Sequence, residues 1–143
     1  MILNWFKHRR RAKILATPFP DAWNNFIHDN VVHDRHLTHE FAHQLDMING
    51  RITDGTPPLK SKNQHDRWVS VLGPEFDNLV EKCRRGNRGL LDCYGATNPA
   101  EFFAVLTETY FESPVALRQY HGEIYNVLHD YYGLDTAEWP EDF

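Results

Sequence analysis

HEFAHQLDMING, residues 39–50, sets two histidines and a glutamate in the order His-Glu-x-x-His. Leu37, Phe41, Leu45 and Ile48 recur through it at helical spacing, which predicts a helix over residues 37–48. Asn49-Gly50 closes that helix as a left-handed cap would. Residues four apart share one helix face. His39 and His43 therefore project side by side and can reach one metal ion, while Glu40 can address a water on that metal. Zinc lowers the pKa of such a water toward neutrality; the glutamate takes the proton and can pass it to a leaving amine. The chain holds nine histidines, so a chance pairing of surface residues is the competing reading. A buried helix carrying His, Glu and His makes better sense when a metal satisfies its polar groups.

A catalytic zinc site needs a third protein ligand and an open position. Asp46, Asp92, Glu101, Glu108 and Glu112 are candidates by type. Glu101, Glu108 and Glu112 fall on one face of a helix starting at Asn98-Pro99, with Phe103, Leu106 and Tyr110 on another. A row of carboxylates opposite an apolar face ordinarily faces water. Glu101 also sits three residues after Asn98, where a glutamate reaches back to cap the helix. Spacing alone leaves capping and ligation both open.

Outward from this centre the chain reads as mainly α. Residues 2–16 form a short amphipathic helix with Ile2, Trp5 and Phe6 on one side, stopped by Thr17-Pro-Phe-Pro. Asp21 caps a second helix over residues 22–32, with Trp23, Phe26 and Ile27 as its apolar face. Residues 53–62 form a loop around Asp54-Gly55 and Pro57-Pro58. Residues 63–72 and 74–85 are helical, with an interruption expected at Gly73-Pro74, and residues 86–95 are irregular. The Asn98-Pro99 helix runs to Glu112, and Ser113-Pro114 ends it and starts the next. A last helix over residues 123–132 is closed by Gly133. No segment carries a run of alternating strand residues.

Composition fits one domain: 143 residues, 41% apolar and 24% charged. The net charge of −5 argues against nucleic acid as a partner. The basic run from Lys7 to Lys13 reads as a solvated segment. The short apolar start, Met1 to Phe6, precedes its charges, the reverse of a secretory signal. No apolar run approaches the roughly 18 residues of a membrane span. Cys83 and Cys93 make neither a disulfide framework nor a close metal-binding pair, so a cytoplasmic chain with two reduced thiols is expected.

His39-Glu-Phe-Ala-His-Gln-Leu-Asp46 is followed by Tyr94-Gly-Ala-Thr-Asn-Pro-Ala-Glu-Phe-Phe-Ala104 and by Glu108 to Pro114. Together these resemble the Mlc titration factor A family, the M90 zinc metallopeptidases within the glutamate-ligand zincins. The likeness runs from His39 to about Pro114 and continues weakly to Trp139-Pro140. It implies that His39, His43 and Glu101 hold Zn2+. It implies Glu40 as general base and Tyr94 as the phenol that stabilises the tetrahedral intermediate, with Asp46 and Glu108 orienting the histidines. It also implies aminopeptidase activity on small peptide-like substrates, and binding of the glucose repressor Mlc in control of the sugar phosphotransferase system.

Residues 1–38 resemble the family's extreme N-terminus, recognisable in Ile14-Leu-Ala-Thr-Pro-Phe-Pro-Asp-Ala-Trp23. Typical members place a long segment between that start and the His-Glu-x-x-His helix. Here His33-Asp-Arg-His-Leu-Thr38 runs straight into His39. The absent segment resembles the part that supplies the zincin β-sheet. Residues 39–143 are therefore expected to be the helical core of a zincin-like peptidase without most or all of its upstream sheet. Its first helix must then bury its apolar side on other helices or on a partner. His33 and His36 offer stray fourth ligands, which would close the site. The alternative to an active peptidase is a catalytically impaired repressor-binding module, or a truncated fragment.

Overall fold

The computed structural model describes residues 35–48 and 53–140, with side chains from Thr38 onward. The helices expected over residues 2–16 and 22–32, the Asn49-Gly50 cap, His33 and the side chain of His36 lie outside the described residues. The described part is mainly α, and no strand occurs in it. Its helices are α1 (Arg35–Asp46), α2 (Lys62–Arg84), α3 (Pro99–Glu112), α4 (Pro114–Tyr120) and α5 (Gly122–Tyr132). Short 3-10 turns occupy Cys93–Ala96 and Thr136–Glu138.

The organising element is α3. Asn98 caps it by accepting the Glu101 N–H at 2.9 Å, and Pro99 fills the first helical position, where a missing N–H costs nothing. Its residues from Phe102 to Phe111 are all buried. Elements pack around it on every side: α1, the Cys93–Ala96 turn, α4 and α5 all contact it. This corrects the expectation of a solvated carboxylate face. Glu108 is buried, Glu101 half-buried, and only Glu112 stands exposed. A helix with one polar row is solvated there only if nothing covers the row, and α1 covers this one.

The apolar side of α1 finds its partner in α3. Phe41, Ala42 and Leu45 are buried, and Ile48 is half-buried against the same core. Ser61 caps α2, its Oγ accepting the Gln64 N–H at 3.1 Å. This helix continues unbroken through Gly73-Pro74, where an interruption was expected. Proline removes one backbone hydrogen bond, but Trp68 and Leu72 before it and Leu79 after it are buried in the core, so packing holds both halves to one axis. The core is rich in aromatic rings. Trp68 meets Phe103 and Tyr131 edge-on at 5.5 and 5.6 Å, and Tyr110 stacks on Tyr132 at 5.5 Å. Gly133 ends α5 in the left-handed conformation, φ 70°, as its sequence position predicts.

The expectation of two reduced thiols is overturned. Cys83 and Cys93 are joined in a disulfide, with Cα atoms 5.8 Å apart. The last turn of α2 and the start of the 3-10 turn are brought together by the intervening loop, which reverses at Gly86, φ 79°. Two cysteines without framework spacing are thereby placed within bonding reach.

Candidate metal centre

Three of the expected residues converge. Ligand atoms of His39 and His43 on α1 and Glu101 on α3 all lie within 4.8 Å of one another. His39 Nε2 is 2.8 Å from Glu101 Oε2, His43 Nε2 is 3.1 Å from His39 Nε2, and His43 Nε2 is 3.2 Å from Glu101 Oε1. The helical spacing of the histidines stacks their rings edge-on, centroids 4.8 Å apart. Donors on a tetrahedral zinc, each about 2.0–2.1 Å from the ion, stand about 3.3–3.4 Å from each other. The observed pairs stand somewhat closer than that, as hydrogen-bonded groups do, and two imidazole nitrogens with a carboxylate are a donor set suited to such an ion. All three are half-buried, which leaves the group reachable from solvent.

Glu101 directs its side chain away from the helix cap. Its backbone N–H is the group that Asn98 caps, while its carboxylate turns to the histidines. Behind His39 stands Glu108, two turns further along α3, with Oε1 2.5 Å from His39 Nδ1. The two carboxylates thus address the two ring nitrogens of one histidine. They hold the His39 pKa above the ordinary histidine value. The hydrogen bond to Glu108 is the largest cause; burial opposes it, and the Glu108 charge and the Glu101 contact add to it. His43 is less supported: its Nδ1 is buried and has no hydrogen-bond partner among the described residues.

Tyr94 lies on the Cys93–Ala96 turn with its ring 5.8 Å from that of His39, and it is more than half exposed. Asp92 caps that turn by accepting the Tyr94 N–H at 2.9 Å, so it is no member of the cluster. Gly95 packs the turn onto α3, its Cβ position 3.1 Å from Val105 Cβ. Glu40 follows His39 on α1, half-buried, outside the group of three.

Asp46, expected to orient a histidine, does something else. It is fully buried and accepts the backbone N–H groups of Gly55 and Asp54 at 2.7 and 3.3 Å. Burial raises its pKa, and these two hydrogen bonds pull the other way. Sequence reasoning missed that Gly55 meets Asp46 and Trp68. The Asp54-Gly55 pair signalled a turn, and nothing in the sequence said what the turn touches.

Residues 36–133 match the glucose-regulated metallo-peptidase M90 family. The chain is similar to the uncharacterized protein slr2042 of Synechocystis, 46% identical over 99 residues, which cover 69% of this chain and 36% of that protein. It is similar to Mlc titration factor A of Yersinia pestis and of Yersinia pseudotuberculosis, 36% identical over 101 residues, or 69% of this chain and 37% of each of those proteins. The chain thus spans little more than a third of the length of these relatives. Among the described residues no helix is long and apolar enough to cross a membrane. The matched segment contains both histidines, Glu101, Glu108 and Tyr94, and on it the chain belongs to the M90 metallopeptidase family.

Proposed function

We propose that this chain is a zinc-dependent, aminopeptidase-like peptidase centre in which His39, His43 and Glu101 hold Zn2+. The observation that carries the reading is the convergence of His39 Nε2, His43 Nε2 and the Glu101 carboxylate, close enough together for one ion to reach all three. Bound zinc supplies Lewis-acid polarisation of a peptide carbonyl and of a water. Glu108 accepts a hydrogen bond from the Nδ1–H of His39, which leaves the Nε2 lone pair directed at the ligand cluster. Glu40 is the general base that removes a proton from water and returns it to the departing amine. The Tyr94 hydroxyl donates a hydrogen bond to the oxyanion as it forms. Residues 39–143 constitute the zincin-like catalytic-core remnant, and residues 1–38 correspond to the family's extreme N-terminus, with Arg35–Thr38 forming the first turn of α1. A cytoplasmic setting goes with this reading, and there the Cys83–Cys93 bond would meet reductants.

Zinc analysis of the purified chain and a peptidase assay of Glu40→Gln test the proposal. About one zinc per folded chain is expected, with hydrolysis lost in the variant at unchanged zinc content. Substoichiometric zinc, or full activity in Glu40→Gln, would reject it. A second reading, binding of the repressor Mlc, draws on the name of the Yersinia relatives. Capture of that repressor by a chain that hydrolyses no peptide would favour it.

A further inference from the structure

We infer that the turn at Asp54–Thr56, gripped by Asp46, is the positioning unit that sets Glu101 against His39 and His43. The inference rests on the proposed zinc site and adds residues that no motif marks.

Gly55 touches three helices at once. Its N–H is held by Asp46, which lies three residues beyond His43 at the end of α1. Its carbonyl accepts the Trp68 Nε1–H of α2 at 3.2 Å. Its α-carbon abuts the start of α3: a Cβ there would stand 2.4 Å from the Pro99 carbonyl oxygen and 2.7 Å from the Pro99 carbon. Its φ of 82° also lies in the left-handed region, which disfavours any side chain. Pro99 is the first residue of α3, and Glu101 follows in the same turn. Whatever moves the Pro99 backbone therefore carries the Glu101 carboxylate with it. The histidines ride on α1, to which the turn is tied through Asp46. Trp68 is buried against Phe103 and Tyr131, so the third anchor is fixed in the aromatic core.

A metal tolerates only about 0.2 Å of error in ligand distance. The turn fixes the separation of the helices that bring the ligands. Asp46, Gly55 and Trp68 are positioning residues: among the contacts described, none of them reaches the ligand atoms.

The test is zinc affinity, measured by chelator competition on the full chain, for the parent, Gly55→Ala, Trp68→Phe and Thr136→Ala. Thr136 is buried, and its Oγ1 donates to the Tyr110 carbonyl at 2.7 Å, away from this turn. Its variant reports what lost stability alone does to zinc binding. Gly55→Ala is expected to weaken zinc by about 10–100-fold, the scale seen when supporting residues of metal sites are changed. Trp68→Phe keeps an aromatic ring but loses the Nε1–H donor and some buried volume, and is expected to weaken zinc by a few-fold, more than Thr136→Ala does for a comparable drop in melting temperature. Thr136→Ala is expected to melt at lower temperature with zinc affinity within twofold of the parent. The Co2+-loaded Gly55→Ala chain should show weakened visible bands, as a displaced carboxylate would give. If the parent binds zinc and both Gly55→Ala and Trp68→Phe match it, the turn does not position the site. Equal weakening in Thr136→Ala would also overturn the inference. A parent that binds no zinc would instead reject the site itself.

Discussion

Glu108 shows what the spacing of a residue leaves out. By spacing it belongs to a row with Glu101 and Glu112, and periodicity tells which face a row occupies but not what covers it. The resemblance gave it a histidine to orient, and its Oε1 lies 2.5 Å from His39 Nδ1. Glu108→Gln keeps the shape and loses the charge, so it is expected to weaken zinc binding by about 10–100-fold while the chain still folds; chelator competition measures this. The same contact sets a pH dependence in the chelator-treated protein. His39 has its folded pKa raised above the unfolded value, chiefly by the hydrogen bond to Glu108. A raised histidine pKa gives stability that is fully present below the unfolded value and is lost as pH rises through the folded one. The metal-free chain should thus lose stability as pH rises from below the ordinary histidine range to above it. Thermal melts across that range check it, and Glu108→Gln should flatten the dependence. The pairing of His39 with His43 was legible from the motif, whereas Glu101 came to their side of the reading only through the resemblance, and the three do converge. Asp46 was misassigned because its partners are backbone N–H groups of a turn, which carry no signature of their own.

Helices were legible where local signals agree. Asn98-Pro99 starts α3 and Gly133 ends α5, each for a backbone reason that the residue type itself supplies. The continuity of α2 was not legible, because Gly73-Pro74 is a local break signal that distant contacts override through Trp68, Leu72 and Leu79. The disulfide between α2 and the Tyr94 turn was hidden for a similar reason: pairing depends on the path of the chain between the cysteines. The bond spans a sequence separation of 10. Closing a loop of that size removes unfolded-state freedom equivalent to about 2–3 kcal/mol. A dithiol reductant, which takes up the oxidation as the protein gains two thiols, is expected to lower unfolding stability by about that amount. Urea titrations with and without reductant check this, and the Cys83→Ser/Cys93→Ser variant should be indifferent to the reductant. Gly95 is packed on Val105 and Leu79, so the turn keeps its seat on α3 and zinc content should stay unchanged.

Across the whole molecule the candidate centre lies at the seam between two kinds of packing. On one side the aromatic core joins α2, α3 and α5 through Trp68, Phe103, Tyr110, Tyr131 and Tyr132. On the other, α1 lies on α3 through Phe41, Ala42 and Leu45, with Asp46 as its tie to the following turn. Two of the proposed ligands sit on α1 and the third on α3, so a bound ion would cross-link the seam. Mass action gives such an ion about 2.7 kcal/mol of stabilisation at a hundredfold excess over its dissociation constant. Removing it should therefore loosen α1 before it touches the aromatic core, because α5 shares no ligand with the centre. Hydrogen exchange on the zinc-loaded and chelator-treated chain tests this. Amides of residues 41–46 are expected to lose protection on chelation, while those of residues 124–132 keep theirs. Equal loss in both segments would mean that the chain unfolds as one unit and that the seam is no boundary. No change in either would mean that the two helices are held together by their side chains alone.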